Sequence, residues 1–180
     1  MKKLIPIALF TFLQSLTAWA SAHEAHEAHE AHVHGVATLS LAQDGSKLFL
    51  EFDSPLDNLL GFEHAPRTDK QKQTARDLLD LMHKPATLIK LTAEADCQLS
   101  TVKLLAPILQ ATEKASTNKD EHANLHAEYE YTCARVAALK SLQLSLFDAF
   151  PAIRQVEAQM AGPRGQAAAT LTTKQRLLTW

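Results

Sequence analysis

Asp44-Gly45 lies between two runs in which apolar and polar residues alternate, and this pattern restricts the fold more than any other in the chain. Before the pair, Val33, Gly35, Ala37, Leu39 and Leu41 share one phase, while His32, His34, Val36, Thr38 and Ser40 share the other. After it, Lys47 to Phe52 returns with Leu48, Leu50 and Phe52 in phase. Period-two alternation on both sides of an Asp-Gly pair specifies an antiparallel hairpin with one apolar face. A strand starting near His34 then carries His32 and His34 together on the polar face, at its beginning.

The same pattern recurs downstream. Leu125 to Cys133 alternates, with His126, Glu128 and Glu130 on one face and Ala127, Tyr129, Tyr131 and Cys133 on the other. Short strands are expected near Thr87–Leu91, Gln98–Leu105 and Leu142–Leu146, with a turn or single helical turn over Asp148–Ile153. A closing hairpin joins Gln155–Met160 to Gln166–Thr172 across Gly162-Pro163-Arg164-Gly165. One helix interrupts the strands. Thr68 and Gln71 fit a capping box, Ala75, Leu78, Leu79 and Met82 form an apolar stripe, and Lys84-Pro85 stops the run. Ser54-Pro55-Leu56-Asp57-Asn58 breaks the second strand, Gly61–Arg67 forms an ordered loop, and Ala111–Asn124 is a polar loop. The expectation is an α+β fold, mainly antiparallel sheet of about seven or eight strands, with one clear helix near 69–83.

Residues 1–22 have the parts of an export signal: Lys2 and Lys3, an apolar run from Leu4 to Leu13, and small-x-small sites at Ala18-Trp19-Ala20 and Ala20-Ser21-Ala22. Cleavage is expected after Ala22, or after Ala20. The apolar run, broken by Pro6, Gln14 and Ser15, is shorter than the roughly 20 residues of a spanning helix. Cleavage leaves about 158 residues, enough for a single domain over 33–180, and no second hydrophobic span. The chain's net charge of −2 and lack of Lys/Arg clusters argue against nucleic acid as a partner. Cys97 and Cys133, in an oxidising compartment, read as one disulfide; a two-cysteine metal site is the alternative.

Behind the leader stands His-Glu-Ala repeated from His23 to His32. This comb has no apolar face and should be disordered without metal. In polyproline II its period of three aligns His23, His26, His29 and His32 along one edge, about 9 Å apart, and in an α-helix it puts successive imidazoles on adjacent turns, where an ion could bring pairs together. Neutral imidazole suits zinc, copper and nickel, so the comb offers several weak, interchangeable sites. Further candidates are His34, His64, and His126 with Glu128, whose i, i+2 spacing puts both on one strand face. His122 and His126 stand four apart, a chelating separation if the intervening residues turn helically. The ordinary reading of His64 is a surface loop residue, and that of His126 and Glu128 a solvated strand face. His83 ends the helix, where an imidazole meets the negative end of the dipole, so a capping role is favoured over ligation.

These residues carry a resemblance. His32-Val33-His34-Gly35, Gly61-Phe62-Glu63-His64-Ala65-Pro66-Arg67-Thr68, His126-Ala127-Glu128-Tyr129 with Cys133, Leu146–Pro151 and the Gly162-to-Thr172 hairpin resemble a family of bacterial exported, histidine-rich domains. That family, of formerly unknown function, includes zinc-regulated periplasmic zinc-binding proteins. The resemblance spans essentially all of the chain after the leader. It implies a periplasmic protein that binds Zn²⁺ and supports a high-affinity zinc importer. Family members often carry a long His/Asp/Glu-rich tract in mid-chain; Thr117–His126 here holds only His122 and His126.

The leading expectation is a zinc scavenger or chaperone, not an enzyme. Zinc is preferred because clustered Met and free Cys, the soft ligands of Cu(I), are lacking, while Cu²⁺ and Ni²⁺ should bind in vitro. A metal-dependent hydrolase is the first competitor, but barrel hydrolases with a His-x-His pair need about 250 residues. A structural or interaction module that buffers metal only incidentally is the second.

Overall fold

The computed structural model describes residues 33–110 and 123–180. Strand β1 (Val36–Asp44) pairs antiparallel with β2 (Lys47–Pro55), from Asp44 opposite Lys47 to Thr38 opposite Asp53. The two loop residues are Gly45 and Ser46, and Gly45 takes a left-handed φ of 55°. Glycine leading a two-residue loop fits the twist of the flanking strands.

The remaining strands are β3 (Ile89–Leu91), β4 (Cys97–Leu105), β5 (Asn124–Cys133), β6 (Ser141–Leu144), β7 (Gln155–Gly162), β8 (Gly165–Thr172) and β9 (Leu177–Thr179). They form a six-stranded sheet in the order β4-β5-β2-β1-β7-β8 and a three-stranded sheet β3-β6-β9. The fold is therefore α+β and mostly antiparallel, with nine strands among the described residues rather than seven or eight. The unexpected strand is β9, whose three residues are too few for alternation to register. The β1–β7 pair is parallel, Ala37 facing Val156 and Leu39 facing Ala158. Sequence periodicity carries no information on such a long-range partner.

Helix α2 (Asp69–Met82) starts as its capping box requires. The Gln71 N–H donates to Thr68 Oγ1 (3.2 Å), and the Thr68 N–H donates to Gln71 Oε1 (3.2 Å). Its stripe of Ala75, Leu78 and Met82 is buried. Tyr129 Oη donates to the Met82 carbonyl (2.9 Å), giving one otherwise orphaned helix-end acceptor a partner. Two short helices escape a sequence reading, α1 (Leu56–Leu60) and α3 (Pro107–Gln110), and a third, α4 (Leu146–Ala149), starts two residues before the helical turn expected over Asp148–Ile153. α4 takes the end of the expected Leu142–Leu146 strand, which stops at Leu144, and a 3₁₀ turn at Pro85–Thr87 takes the start of the expected Thr87–Leu91 strand. Of the loop expected over Ala111–Asn124, residues 111–122 lie outside the described residues, and Asn124 already opens β5.

One face of the large sheet is the core face. Ala37, Leu39, Leu41, Leu48, Leu50, Phe52, Leu125, Ala127, Tyr129, Val156, Ala158 and Met160 are buried there, in one cluster with α2, the small sheet and Phe147, Phe150 and Ile153. The opposite face carries Thr38, Glu51, Asp53, His126, Glu128 and Glu130, none of them buried. Cys97 and Cys133 are register partners in β4 and β5 and form a disulfide. No helix among the described residues is long and apolar enough to cross a membrane.

Candidate metal centres

The β2–β5 register puts Asp53 opposite His126 and Glu51 opposite Glu128, while β4 brings Lys103 opposite Glu128. On the polar face this yields a centre around one half-buried ring. His126 Nδ1 lies 2.8 Å from Asp53 Oδ1, and His126 Nε2 lies 3.3 Å from Glu128 Oε1. Glu128 Oε2 in turn accepts from Lys103 Nζ at 2.9 Å.

An imidazole between two carboxylates has a definite electrostatic requirement. The neutral ring has one N–H and one lone pair, so it can satisfy only one carboxylate. The other then faces a lone pair, which is repulsive. A cation on the second nitrogen, either a proton or a metal ion, removes the conflict. Burial disfavours a charged His126 ring, but the hydrogen bond and charge of Asp53, and then those of Glu128, outweigh it and raise the pKa above its ordinary 6.5. The hydrogen bonds of Lys103 and His126, with their charges, hold Glu128 below its ordinary value.

The separation also suits a metal. Two ligands bound about 2.0–2.2 Å from a tetrahedral zinc lie roughly 3.3–3.6 Å apart. His126 Nε2 and Glu128 Oε1 span 3.3 Å. Asp53 then holds the Nδ1–H, the arrangement that orients metal-bound imidazoles and raises their basicity. Among the described residues, no group of three or more His, Cys, Asp or Glu side chains is disposed to hold one ion.

A second imidazole stands between carboxylates near the start of β1. The strand begins at Val36, two residues later than the alternation implies, because His34 and Gly35 form a turn in which the Val36 N–H donates to the Val33 carbonyl (3.0 Å). Gly35 adopts φ +86°, a conformation that glycine alone takes readily. His34 therefore does not stand on the sheet face as expected. It turns toward α1 and the following loop, with Nδ1 3.1 Å from Asp57 Oδ2 and Nε2 3.7 Å from Glu63 Oε1.

His64 directs its Nδ1–H to its own loop, donating to the Ala65 carbonyl (2.9 Å), and its ring stacks on Phe62. His83 donates from Nδ1 to the Leu79 carbonyl (2.7 Å), the helix-end role its position favoured. His23, His26, His29, His32 and His122 lie outside the described residues. The pairing of His126 with Glu128 was legible from their spacing, whereas Asp53, Asp57, Glu63 and Lys103 were not. Asp53 shares the outward phase of its strand, but only the register reveals which residue it faces.

No curated protein matches this chain significantly. The model of the family described as ZrgA family zinc uptake protein matches residues 31–180, a span that takes in both imidazole centres and every strand among the described residues, so the chain belongs to that family.

Proposed function

We propose that this protein binds Zn²⁺ in the periplasm and acts as a scavenger or chaperone that passes the ion to a high-affinity importer. The observation that carries this reading is His126, whose two nitrogens face Asp53 and Glu128 at 2.8 and 3.3 Å. That ring is balanced only with a cation on it, and its open side matches the ligand spacing of zinc. Membership of a zinc uptake family fits a cargo role. A platform of two protein ligands leaves positions for water or a partner's ligands, which suits an ion that must be released. The leader at 1–22 supports export, and the comb supports capture of ions from dilute solution. We read the protein as a carrier without catalytic activity, and zinc, not Cu²⁺ or Ni²⁺, as the cargo.

Calorimetric zinc titration of the chain lacking residues 23–30 tests this. One event tighter than those of the comb should remain, and His126→Ala should remove it. Retention of that event in the variant would overturn the assignment. Turnover of ester or peptide substrates by the zinc-loaded protein would instead favour the hydrolase reading.

A further inference from the structure

We propose that β8, the outermost strand of the large sheet, pairs antiparallel with the β8 of a second copy of this chain, so that two six-stranded sheets join about a two-fold axis. The inference is independent of metal binding. It rests on how differently the two edges of this sheet are built. β4 forms one edge and carries features that discourage an added strand. Its register slips between Leu99 and Thr101, Lys103 stands on it against Glu128, and Cys97 bonds it covalently to β5. β8 forms the other edge and has none of these. Gly165 to Thr172 reads Gly-Gln-Ala-Ala-Ala-Thr-Leu-Thr, without a charge or a proline. Its ladder with β7 is unbroken, from Gly162 opposite Gly165 to Gln155 opposite Thr172. A long, regular, uncharged edge is a template for strand pairing.

The register determines which backbone groups this edge offers. The two-residue loop Pro163-Arg164 makes Gly162 and Gly165 a hydrogen-bonded pair, and such pairs alternate along an antiparallel ladder. Gly165, Ala167, Ala169 and Leu171 therefore bond to β7. Gln166, Ala168, Thr170 and Thr172 turn their N–H and C=O groups outward. The Thr172 N–H donates to the Gln175 carbonyl (2.8 Å), as that phase requires. Gln166, Ala168 and Thr170 are all exposed, and no strand among the described residues pairs with their outward groups.

The strand is complementary to itself. An axis at Ala168 sets Ala168 opposite the Ala168 of the second copy, and Gln166 opposite its Thr170. Each such pair exchanges two N–H···O bonds, about six across the axis. No like charges meet, amides face hydroxyls on the flanks, and methyl side chains at the axis let the strands close to normal spacing. The neighbouring arginines are engaged elsewhere. Arg164 donates to the Ala137 and Leu139 carbonyls, and Arg176 donates to Asp148. Lys174 lies past Thr172, beyond the paired stretch. On the core face Ala167 and Ala169 are only partly buried, and an added strand extends that face over them. With the axis perpendicular to the sheet, the polar faces of both copies, each with its His126, point the same way.

The test is sedimentation velocity of the chain freed of residues 1–22, with EDTA present so that the comb cannot bridge copies through metal. The wild type should form a dimer whose fraction rises with concentration. Ala168→Lys and Ala168→Glu each place like charges across the axis and should raise the dissociation constant at least about tenfold, with circular dichroism unchanged. Mixing these two variants in equal amounts should restore the dimer, because opposite charges then meet. Ala168→Pro removes an outward donor but no bond to β7, so it should also separate the copies. Hydrogen exchange at the Gln166, Ala168 and Thr170 amides should slow as the wild-type concentration rises. A wild type that stays monomeric to about 1 mM, a dimer that all three variants leave intact, or a mixture no more dimeric than its parts would overturn the proposal.

Discussion

Asp53 and His126 face each other as register partners across β2 and β5, and Asp53 Oδ1 meets His126 Nδ1 at 2.8 Å. The contact joins residues 73 positions apart in the chain. It fixes which nitrogen of the ring is turned toward Glu128, and so determines the chemistry available at the polar face.

Replacing that carboxylate with an amide of equal size tests its role. Asp53→Asn should lower zinc affinity at the His126 centre by about 10- to 100-fold, the usual cost of losing the partner behind a metal-bound imidazole. Calorimetry on the chain lacking residues 23–30 checks this, and an unchanged dissociation constant would show that Asp53 is only a neighbour.

The raised pKa of His126 has consequences in the metal-free protein. Its folded-state value lies above the ordinary 6.5, so its contribution to stability is complete below 6.5 and disappears as pH rises through the folded-state value. Glu128 behaves oppositely: its value is lowered, so its contribution is present above 4.5 and disappears as pH falls through the folded-state value. The pair therefore stabilises most between these limits. Melting temperatures of the wild type and His126→Ala should differ most near about pH 5.5 and converge at alkaline pH. A proton-detected titration should also place His126 above the ordinary 6.5, and Asp53→Asn should bring it down.

The proton also competes with zinc. Since His126 holds its proton more strongly than an ordinary imidazole, zinc affinity at this centre should begin to fall while the pH is still above 6.5. Titrations at pH 7.5 and 5.5 measure this, and equal affinity at both would mean that carboxylates alone hold the ion.

The Cys97–Cys133 bridge closes a loop with a sequence separation of 36. In the chain-entropy model its loss should cost roughly 3–4 kcal/mol, read as a fall in denaturation midpoint after reduction or in the double serine variant. Thiol titration of the denatured, unreduced protein should find no free thiol.

Gly35 allows a direct test of the turn that presents His34. A Cβ there would meet the Arg154 guanidinium, and φ +86° is unfavourable for any L side chain. Gly35→Ala should destabilise the protein by about 2 kcal/mol or more, of which the left-handed backbone accounts for about 1–2 kcal/mol. Chemical denaturation checks this.

The hairpins, the helix with its capping box and the core faces were legible in the sequence, because each rests on a local period or a local cap. Leu39, Leu50, Ala127 and Val156 are all buried as their alternation requires. The parallel β1–β7 pair was not legible, since a register between residues such as Leu39 and Ala158 leaves no mark on either strand. The same limit applied at the sites. His126 and Glu128 lie on one strand and could be paired by eye, but Asp53 reaches them only through the ladder. His34 was misplaced onto the sheet because Gly35 continues the apolar phase while its backbone leaves the strand.

The ladder also ties down both ends of the segment between Gln110 and Ala123. Leu105 pairs with His126, and the Leu56 N–H donates to the Ala123 carbonyl (2.7 Å). Chain inserted between such anchors is inexpensive, since doubling a loop's length costs only about 0.6 kcal/mol. On the proposed function, capacity and affinity can therefore evolve independently. Histidines added to that segment, or ahead of Val33, would then change how many ions the chain can gather, while the strand registers that bring Asp53 to His126 stay as they are.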